Sequence, residues 1–498
     1  MNQRIRHLTV ALMVLFSLLF LQLSNWQYIQ RDGLVSDTRN NRVTIREFDK
    51  MRGAIVTADN SVIAATEIKD PATGGSGRFQ YQRVYPTNEL FANVTGYYTL
   101  GFGSTQLERT YNDVLIGTTP QQQLEGAGDL FSKADTTGSV HLTLRNDLQI
   151  VARDALGGRE GSAVVMDPRT GAVLAMYSNP TYDPNLVASH SGNTASETLT
   201  KLQNDPRQPL LANAYQERYM PGSTFKVLTT TIALETGVFN MQSLFKDERS
   251  WLPPNTKKPL RNYGNKVCGG DLAEIFRRSC NIPFAQTAVT IGPDLMVNGV
   301  NKFGFEEAIP FDLPGGAAST FGGHPVDFVN SLALLAIHGF GQGSVQVVPL
   351  HMAMIASTVA NGGKMMQPYV VANTRARSGT VMSATTPTVW KTPMFPETAA
   401  TLTQLMMGVV QNGTASCCLK LNNGIQAAAK TGTAQLNPEG QKQRSHAWIM
   451  AFAPAQAPRV AVAVMIKGVN DAVSASTGGR LAGPVAQRLL NAALPVVK

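Results

Sequence analysis

The stretch Pro221-Gly222-Ser223-Thr224-Phe225-Lys226 sets a hydroxyl and an amine three residues apart, directly after a Pro-Gly break. The apolar residues beyond it, Val227, Leu228, Ile232, Ala233 and Leu234, keep roughly helical spacing. The break therefore predicts the approach to a helix that starts near Ser223. Positions i and i+3 share a helix face, so the Lys226 amine is expected one turn from the Ser223 oxygen. A neutral or proton-sharing lysine there can take the serine proton, and a helix N-terminus favours the negative charge that develops. Alone, the pattern is common by chance, since a helix cap followed by a surface lysine has the same letters.

Two distant stretches change that reading. Ser279-Cys280-Asn281 follows, and Lys430-Thr431-Gly432-Thr433 lies near the C-terminus. The order and wide separation of the three match the serine acyl-transfer signature of penicillin-binding proteins and related β-lactamases.

Upstream of Ser223, residues 140–144 read as a strand, 146–156 as a helix, and 161–166 and 172–176 as paired strands. The turn Asp167-Pro168-Arg169-Thr170-Gly171 joins that pair. A long surface crossover then leads from Tyr182 to the Ser223 helix. Downstream, 249–270 is a polar loop region and 272–278 a helix that delivers Ser279. Helices are expected over 326–337, 350–360 and 396–411, the last with Pro396 in its first turn, where no N–H is needed. His351, on the apolar 350–360 helix, reads as a structural histidine. Gly339-Phe340-Gly341-Gln342-Gly343 resembles a phosphate loop, but the strand–turn–helix context with a Walker lysine is missing, and that reading is discarded. Three strand candidates near the C-terminus, 427–434, 446–453 and 459–467, are closed by a helix over 481–493. Such a run predicts an antiparallel sheet packed against helices.

At the other end, Arg4, Arg6 and His7 precede an uncharged run over 8–30, most apolar over 8–23. Trp26 and Tyr28 follow as aromatics do at a membrane interface. The run is long enough to span a bilayer. A cleaved signal peptide is the rival, but no small-x-small cleavage pattern follows. The expectation is an uncleaved signal anchor over 8–26, a cytoplasmic tail over 1–7, and the remainder outside the cell membrane by the positive-inside rule.

Between anchor and catalytic half, 51–65 reads as a hairpin around Asp59-Asn60, 70–77 as a loop rich in glycine and small polar residues, and 83–86 and 94–98 as short β elements. A small helix is expected within 103–117, and 120–138 is polar and poorly periodic. Glu108 reads as a structural salt bridge or cap rather than a catalytic acid.

At 498 residues the chain exceeds one typical core. A formal net charge of +9 suits anionic lipid headgroups or an anionic envelope polymer, or simply a basic soluble surface. Lys and Arg are scattered and no nucleic-acid module is visible, so no nucleic-acid partner is expected. The seven His are dispersed without HExxH, HxxEH or CxxC spacing, so neither metal nor cofactor is expected.

Taken together, the chain resembles a class B penicillin-binding protein, and most of all the penicillin-binding protein A type of actinobacteria. Arg52-Gly53-x-Ile55 with Asp59, Arg83-x-Tyr85-Pro86, Gly96-Tyr97 and Leu107-Glu108 with Tyr111 resemble the membrane-proximal pedestal of that family. Tyr182-Asp183-Pro184-Asn185, the Ser223 stretch, Gly341-Gln342-Gly343 and the Lys430 stretch resemble its transpeptidase domain. The resemblance implies an α+β fold: a transmembrane helix, a small mainly β pedestal over 27–145, and a transpeptidase domain over 146–498. That last domain would hold an antiparallel sheet flanked by helices and an all-α subdomain.

It also implies a D,D-transpeptidase that crosslinks peptidoglycan stem peptides and is acylated by β-lactam antibiotics. Ser223 would be the nucleophile and Lys226 its base. Ser279 and a charged Lys430 would relay a proton to the departing D-Ala. Asn281 would bind the substrate backbone, and the Thr431 and Thr433 hydroxyls its carboxylate. The Ser223 and Thr433 amides would form the oxyanion hole, and Gly432 would leave room for the substrate along the strand. The pedestal shows no glycosyltransferase. By analogy a membrane-embedded glycan polymerase of the shape, elongation, division and sporulation (SEDS) family would be the partner, with other elongation or division proteins. One departure is Cys280, where many relatives carry Asp.

Rival readings are a class D-like β-lactamase, a D,D-carboxypeptidase, and a non-catalytic β-lactam sensor or divisome scaffold. The anchor, the pedestal and Asn281 speak against the first. Only seven residues precede the anchor, too few for the signalling module a sensor needs.

Outside the membrane, disulfides persist. Cys268 and Cys280 bracket a Gly-Gly turn and the short 272–278 helix, which can bring them together as a disulfide beside the site. Joining the neighbours Cys417 and Cys418 forces a strained peptide, so those two can stay reduced and their state is left open; four free thiols are the alternative to any pairing.

Overall fold

The computed structural model of the chain describes residues 2–30, 50–68, 80–127, 135–437 and 441–497. Asn2–Ser24 is an α-helix that continues as a π-turn over Asn25–Ile29. Within Gln3–Ile29 an 18-residue window reaches a mean hydropathy of 2.0, and none of that window is buried. Such a helix is roughly 40 Å long, more than the hydrocarbon thickness of a bilayer. By length and composition it fits a membrane anchor or a signal sequence.

The expected hairpin is present as Ile55–Val56 against Val62–Ile68. Thr57 Oγ1 donates to Asp59 Oδ1 (2.6 Å), and Asn60 takes the left-handed conformation (φ 63°) that closes the turn. The Asp59 carboxylate also accepts the amides of Asn146 (2.8 Å) and Asp147 (3.1 Å), at the start of the Asn146–Leu156 helix. The pedestal is thereby capped onto the catalytic half. Its sheet has six strands, in the order Val381–Ala384, Val371–Arg375, Ser139–Leu142, Ile55–Val56, Val62–Ile68, Tyr81–Val84. Two of those strands come from residues 371–384, deep in the second half of the chain. The stretch 70–77 lies outside the described residues. The polar segment from 120 holds a helix, Pro120–Ala127, missed because its buried anchor, Gln122, is polar and bonds the carbonyls of Val114 and Thr136.

Three of the pedestal motifs meet at Glu108. Its carboxylate is fully buried and accepts Arg52 Nη2 (2.8 Å), Arg52 Nε (3.1 Å), Arg83 Nε (2.6 Å) and the Tyr85 hydroxyl (3.2 Å). Tyr98, just beyond Gly96-Tyr97, lies under the Arg52 guanidinium, 4.0 Å from ring centre to Cζ. Burial pushes the Glu108 carboxyl up, but the Arg83 and Arg52 charges reverse this and hold it below the usual carboxylate range. Gly53 is glycine because a Cβ there would lie 1.6 Å from the Gly138 carbonyl oxygen.

The catalytic half is built on a five-stranded antiparallel sheet, ordered Ala428–Gln435, Ser445–Ala453, Val460–Ile466, Gly161–Met166, Val173–Asn179. The three C-terminal strands are those expected from the sequence. The three interior strands are buried on both faces, which is why Val460–Ile466 reads as an unbroken apolar run. Helices Gly478–Ala493 and Pro349–Ala360 cover the sheet. A group of shorter helices between residues 226 and 338 forms the rest of the domain. Two elements differ from expectation. The crossover after Tyr182 contains a helix, Gly192–Asn204, capped by the Ser191 hydroxyl on the Thr194 amide. The single helix expected over 326–337 is split at Ser331, whose hydroxyl caps a new helix by accepting the Leu334 amide.

Replacing Glu108 with Gln leaves two buried guanidiniums without countercharge. Urea unfolding should show a loss of about 3–5 kcal/mol. Wild-type stability in that variant would contradict the role given to this cluster.

Candidate active site

Ser223 sits in a single 3-10 turn, Gly222–Phe225, from which the Lys226–Glu235 helix runs on. The turn is held from three sides. Gly222 has φ 55°, and a Cβ on it would lie 2.8 Å from the Thr433 carbonyl oxygen. Its amide donates to the Gly341 carbonyl (2.9 Å). Phe225 stacks on Phe321, with ring centres 5.7 Å apart. Gly341 in turn has φ 78°, and a Cβ there would meet Gly222 O at 2.1 Å. The Gly-rich loop set aside as a phosphate look-alike is therefore the buttress of the Ser223 turn.

Lys226 is fully buried. Its amine donates to Ser279 O (2.8 Å) and Asn281 Oδ1 (2.8 Å) and lies 3.4 Å from Ser279 Oγ. The sequence reading paired this amine with Ser223 alone; in the structure its hydrogen bonds go to the Ser279-Cys280-Asn281 segment. Burial, and then the positive charge of Lys430, press its pKa well below the ordinary lysine value. Lys430 Nζ donates to Ser279 Oγ (2.8 Å) and Thr431 O (3.2 Å). Burial pushes Lys430 down to about 7. Lys430, expected as an ammonium, is thus held near the point of losing its proton at neutral pH: among the described residues no carboxylate offsets the cost of burying it.

Ser279 ends the Leu272–Arg278 helix in the left-handed conformation (φ 61°, ψ 42°). That conformation strains a residue with a Cβ, and it turns the Ser279 hydroxyl toward both amines. Asn262, which sequence reasoning missed, braces the segment. Its Oδ1 accepts the amides of Asn281 (2.8 Å) and Ile282 (3.0 Å), while its Nδ2 donates to the carbonyls of Glu248 and Lys266. Only an Asn-Tyr-Gly-Asn run in a polar loop marked it.

Ser223, Ser279, Asn281, Thr431 and Thr433 all line one cleft of about 430 Å³. Thr431 Oγ1 shares a hydrogen bond with Thr414 Oγ1 (2.6 Å), and Thr433 Oγ1 accepts the Gly478 amide (3.2 Å). Gly432 differs from expectation. A Cβ on it would point away from the cleft, lying 2.6 Å from Pro221 O and 3.1 Å from the Thr224 amide. Its smallness lets the Ser223 turn close on the strand rather than making room for substrate. Trp448, opposite Gly432, donates to the Met220 carbonyl (3.0 Å) and fixes the same contact from the next strand.

Cys268 and Cys280 have Cα atoms 5.8 Å apart and sulfurs at bonding distance. The sulfurs of Cys417 and Cys418 are also at bonding distance, where the sequence reading left their state open. His351 is buried and bonded to Ser319 Oγ and Phe303 O (both 2.8 Å), a structural histidine that burial presses down to about 4.

Comparison with known proteins places this geometry. The penicillin-binding protein transpeptidase domain matches residues 161–491, and the penicillin-binding protein A dimerisation domain matches residues 52–140. The chain is 38% identical to the peptidoglycan D,D-transpeptidase PbpA of Mycolicibacterium smegmatis over 504 residues, 99% of each chain. It is 37% identical to the protein of that name from Mycobacterium tuberculosis, again over 99% of each. The ceftriaxone acyl-enzyme structure of M. tuberculosis penicillin-binding protein A superposes with a TM-score of 0.82 at 34% identity, over 90% of this chain and all of that one. Its penicillin G acyl-enzyme complex gives 0.81 at 35% identity, over 89% and 100%. The chain belongs to the penicillin-binding protein A family of D,D-transpeptidases.

The lysines give the fold a pH dependence of definite sign. An unfolded lysine keeps its proton up to 10.5, whereas folded Lys430 loses it near 7. Between those values the unfolded state binds more protons, so stability rises with pH, and the full penalty is present below the lower value. Lys226 acts in the same direction. In urea unfolding at successive pH values across that window, Lys430→Met should rise less steeply than wild type. An unchanged slope would contradict the burial-driven shift.

Proposed function

We propose that the buried lysine pair and the Ser279 hydroxyl work as one proton-handling unit around the Ser223 nucleophile. The chain is a serine D,D-transpeptidase of peptidoglycan that forms acyl-enzymes with β-lactams. One observation carries the assignment of roles: a single hydroxyl, Ser279 Oγ, lies 3.4 Å from one buried amine and 2.8 Å from another, in the cleft that Ser223 lines. A neutral Lys226 has two N–H bonds, which match its two short contacts to carbonyl oxygens. Its remaining lone pair is available to a hydroxyl.

Ser223 Oγ adds to the penultimate D-Ala carbonyl, and its proton passes to Lys226. The Ser223 and Thr433 amides carry the oxyanion. As the C–N bond breaks, Lys430, near its midpoint at neutral pH, supplies a proton through Ser279 to the departing D-Ala amine. An acceptor stem amine then attacks the ester, forms the crosslinking amide and returns a proton to Ser223, while Lys226 passes the proton it took through Ser279 to Lys430 and resets the pair. Asn281 orients the stem backbone, and Thr431 and Thr433 receive its terminal carboxylate. Residues 8–26 span the cell membrane with the N-terminus cytoplasmic, the pedestal over 27–145 stands between membrane and catalytic domain, and a membrane-embedded SEDS polymerase supplies the glycan.

Ser223→Ala should abolish the covalent penicillin adduct in intact-mass spectra while leaving thermal unfolding near wild type. Lys226→Arg should leave almost no acylation, because a guanidinium does not act as a base at neutral pH. Lys430→Arg should retain some, because a guanidinium still donates to Ser279 Oγ and holds that hydroxyl, although it gives up no proton itself. A stoichiometric adduct on the alanine variant, or equal losses in the two arginine variants, would sink these assignments.

A Cys268–Cys280 bond ties the Ser279–Asn281 segment to the loop before it, and closing so short a loop is worth about 3 kcal/mol. Non-reducing peptide maps of exported protein should contain the linked peptide. Both cysteines recovered alkylated would end that proposal.

A further inference from the structure

We infer that Arg480 is the cation that receives the substrate's terminal carboxylate, an inference that rests on the transpeptidase reading above. Among the described residues the cleft is lined by the cations Lys266, Arg277, Arg278 and Arg480 and by no carboxylate. Two of these cations are already engaged. Arg277 bonds Glu274 and the Asn412 carbonyl (2.9 Å); Arg278 bonds the Val267 carbonyl (2.8 Å) and reaches Glu274 at 3.5 Å. Arg480 is exposed and, among the described residues, its side chain has neither a hydrogen bond nor an ion pair.

Its position sets it apart from Lys266, which sits in the turn just before Cys268. Arg480 directly follows Gly478-Gly479, and these glycines are locked against the threonine strand. The Gly478 amide donates to Thr433 Oγ1 (3.2 Å). A Cβ on Gly478 would lie 2.1 Å from Gly432 O, and one on Gly479 would lie 3.5 Å from Thr431 Cγ2. The guanidinium is therefore carried by backbone that bonds the Thr433 hydroxyl and packs beside the Thr431 methyl, next to the two hydroxyls assigned to the carboxylate.

Lys430 cannot supply this charge from where it lies. It is fully buried, and its amine is committed to Ser279 Oγ and the Thr431 carbonyl. Thr431 and Thr433 offer hydroxyls but no charge. A carboxylate arriving over this strand meets Arg480 as its free countercharge, and a planar guanidinium accommodates a carboxylate through two parallel N–H bonds.

The test compares acylation of full-length protein by benzylpenicillin and by its methyl ester, in which the carboxylate is masked. Arg480→Gln should lower the second-order acylation rate with benzylpenicillin about tenfold, the loss of one partly solvated charged contact. It should leave the methyl ester rate near wild type, which also reports that the site is intact. Arg480→Lys should recover part of the loss, because charge returns without the planar fork. Equal slowing with both probes, or no slowing with benzylpenicillin, would overturn the inference. Failure of the wild-type protein to form any Ser223 adduct would instead overturn the transpeptidase reading beneath it.

Discussion

Two lysine amines are buried against one hydroxyl. Lys226 and Lys430 each have a fully buried side chain, and the groups they bond are carbonyl oxygens and Ser279 Oγ rather than carboxylates. An ammonium held this way loses its hydration and gains no countercharge, so it sheds its proton far more readily than in water. The site thereby holds basic amines near neutral pH. The same burial lowers stability wherever an unfolded lysine would stay protonated, so the catalytic arrangement costs the fold something that its packed sheet must offset.

Geometry at this centre depends on three chain segments approaching more closely than side chains ordinarily permit. Glycines at 222, 341 and 432 mark the contacts, and at each a Cβ would lie under 3 Å from backbone of another segment. The Ser223 turn is thus fixed against the Lys430 strand and the Gly341 loop together. Ser279 adds strained left-handed backbone, stabilised by Asn262 on the two amides that follow Cys280. The Cys268 and Cys280 sulfurs lie beside the same segment. Rigidity here has a functional sense, because proton transfer requires oxygens and nitrogens held within a few tenths of an ångström.

The sequence disclosed the chemistry more readily than the support. Ser223, Lys226, Ser279, Asn281, Lys430, Thr431 and Thr433 were legible because residue type and chain order carry the signal; Ser223, Ser279, Asn281, Thr431 and Thr433 line one cleft, and the two buried lysine amines reach it through Ser279. Glu108 was legible as structural, since the pedestal motifs supply its arginines. The rest depends on contacts between segments far apart in the chain. Gly432 packs on Pro221, Gly341 on Gly222, and Asn262 on Asn281, and no local pattern announces such pairs. For the same reason strands 371–384 were not foreseen in the pedestal sheet: their pairing with Ser139–Leu142 is non-local. The burial of Lys430, which lowers its pKa, was not legible because burial on a strand of small residues is set by what covers it.

The central claim is that Lys226 is a neutral amine poised to accept a proton. Nitrogen-15 spectra of the side-chain amines in uniformly 15N-lysine-labelled protein report it directly, with the Lys226 signal assigned by its loss in Lys226→Met. The account predicts that, as pH is raised, this nitrogen passes to the neutral-amine range well before the exposed lysines do. A Lys226 signal that stays in the ammonium range until the exposed lysines titrate would contradict the account.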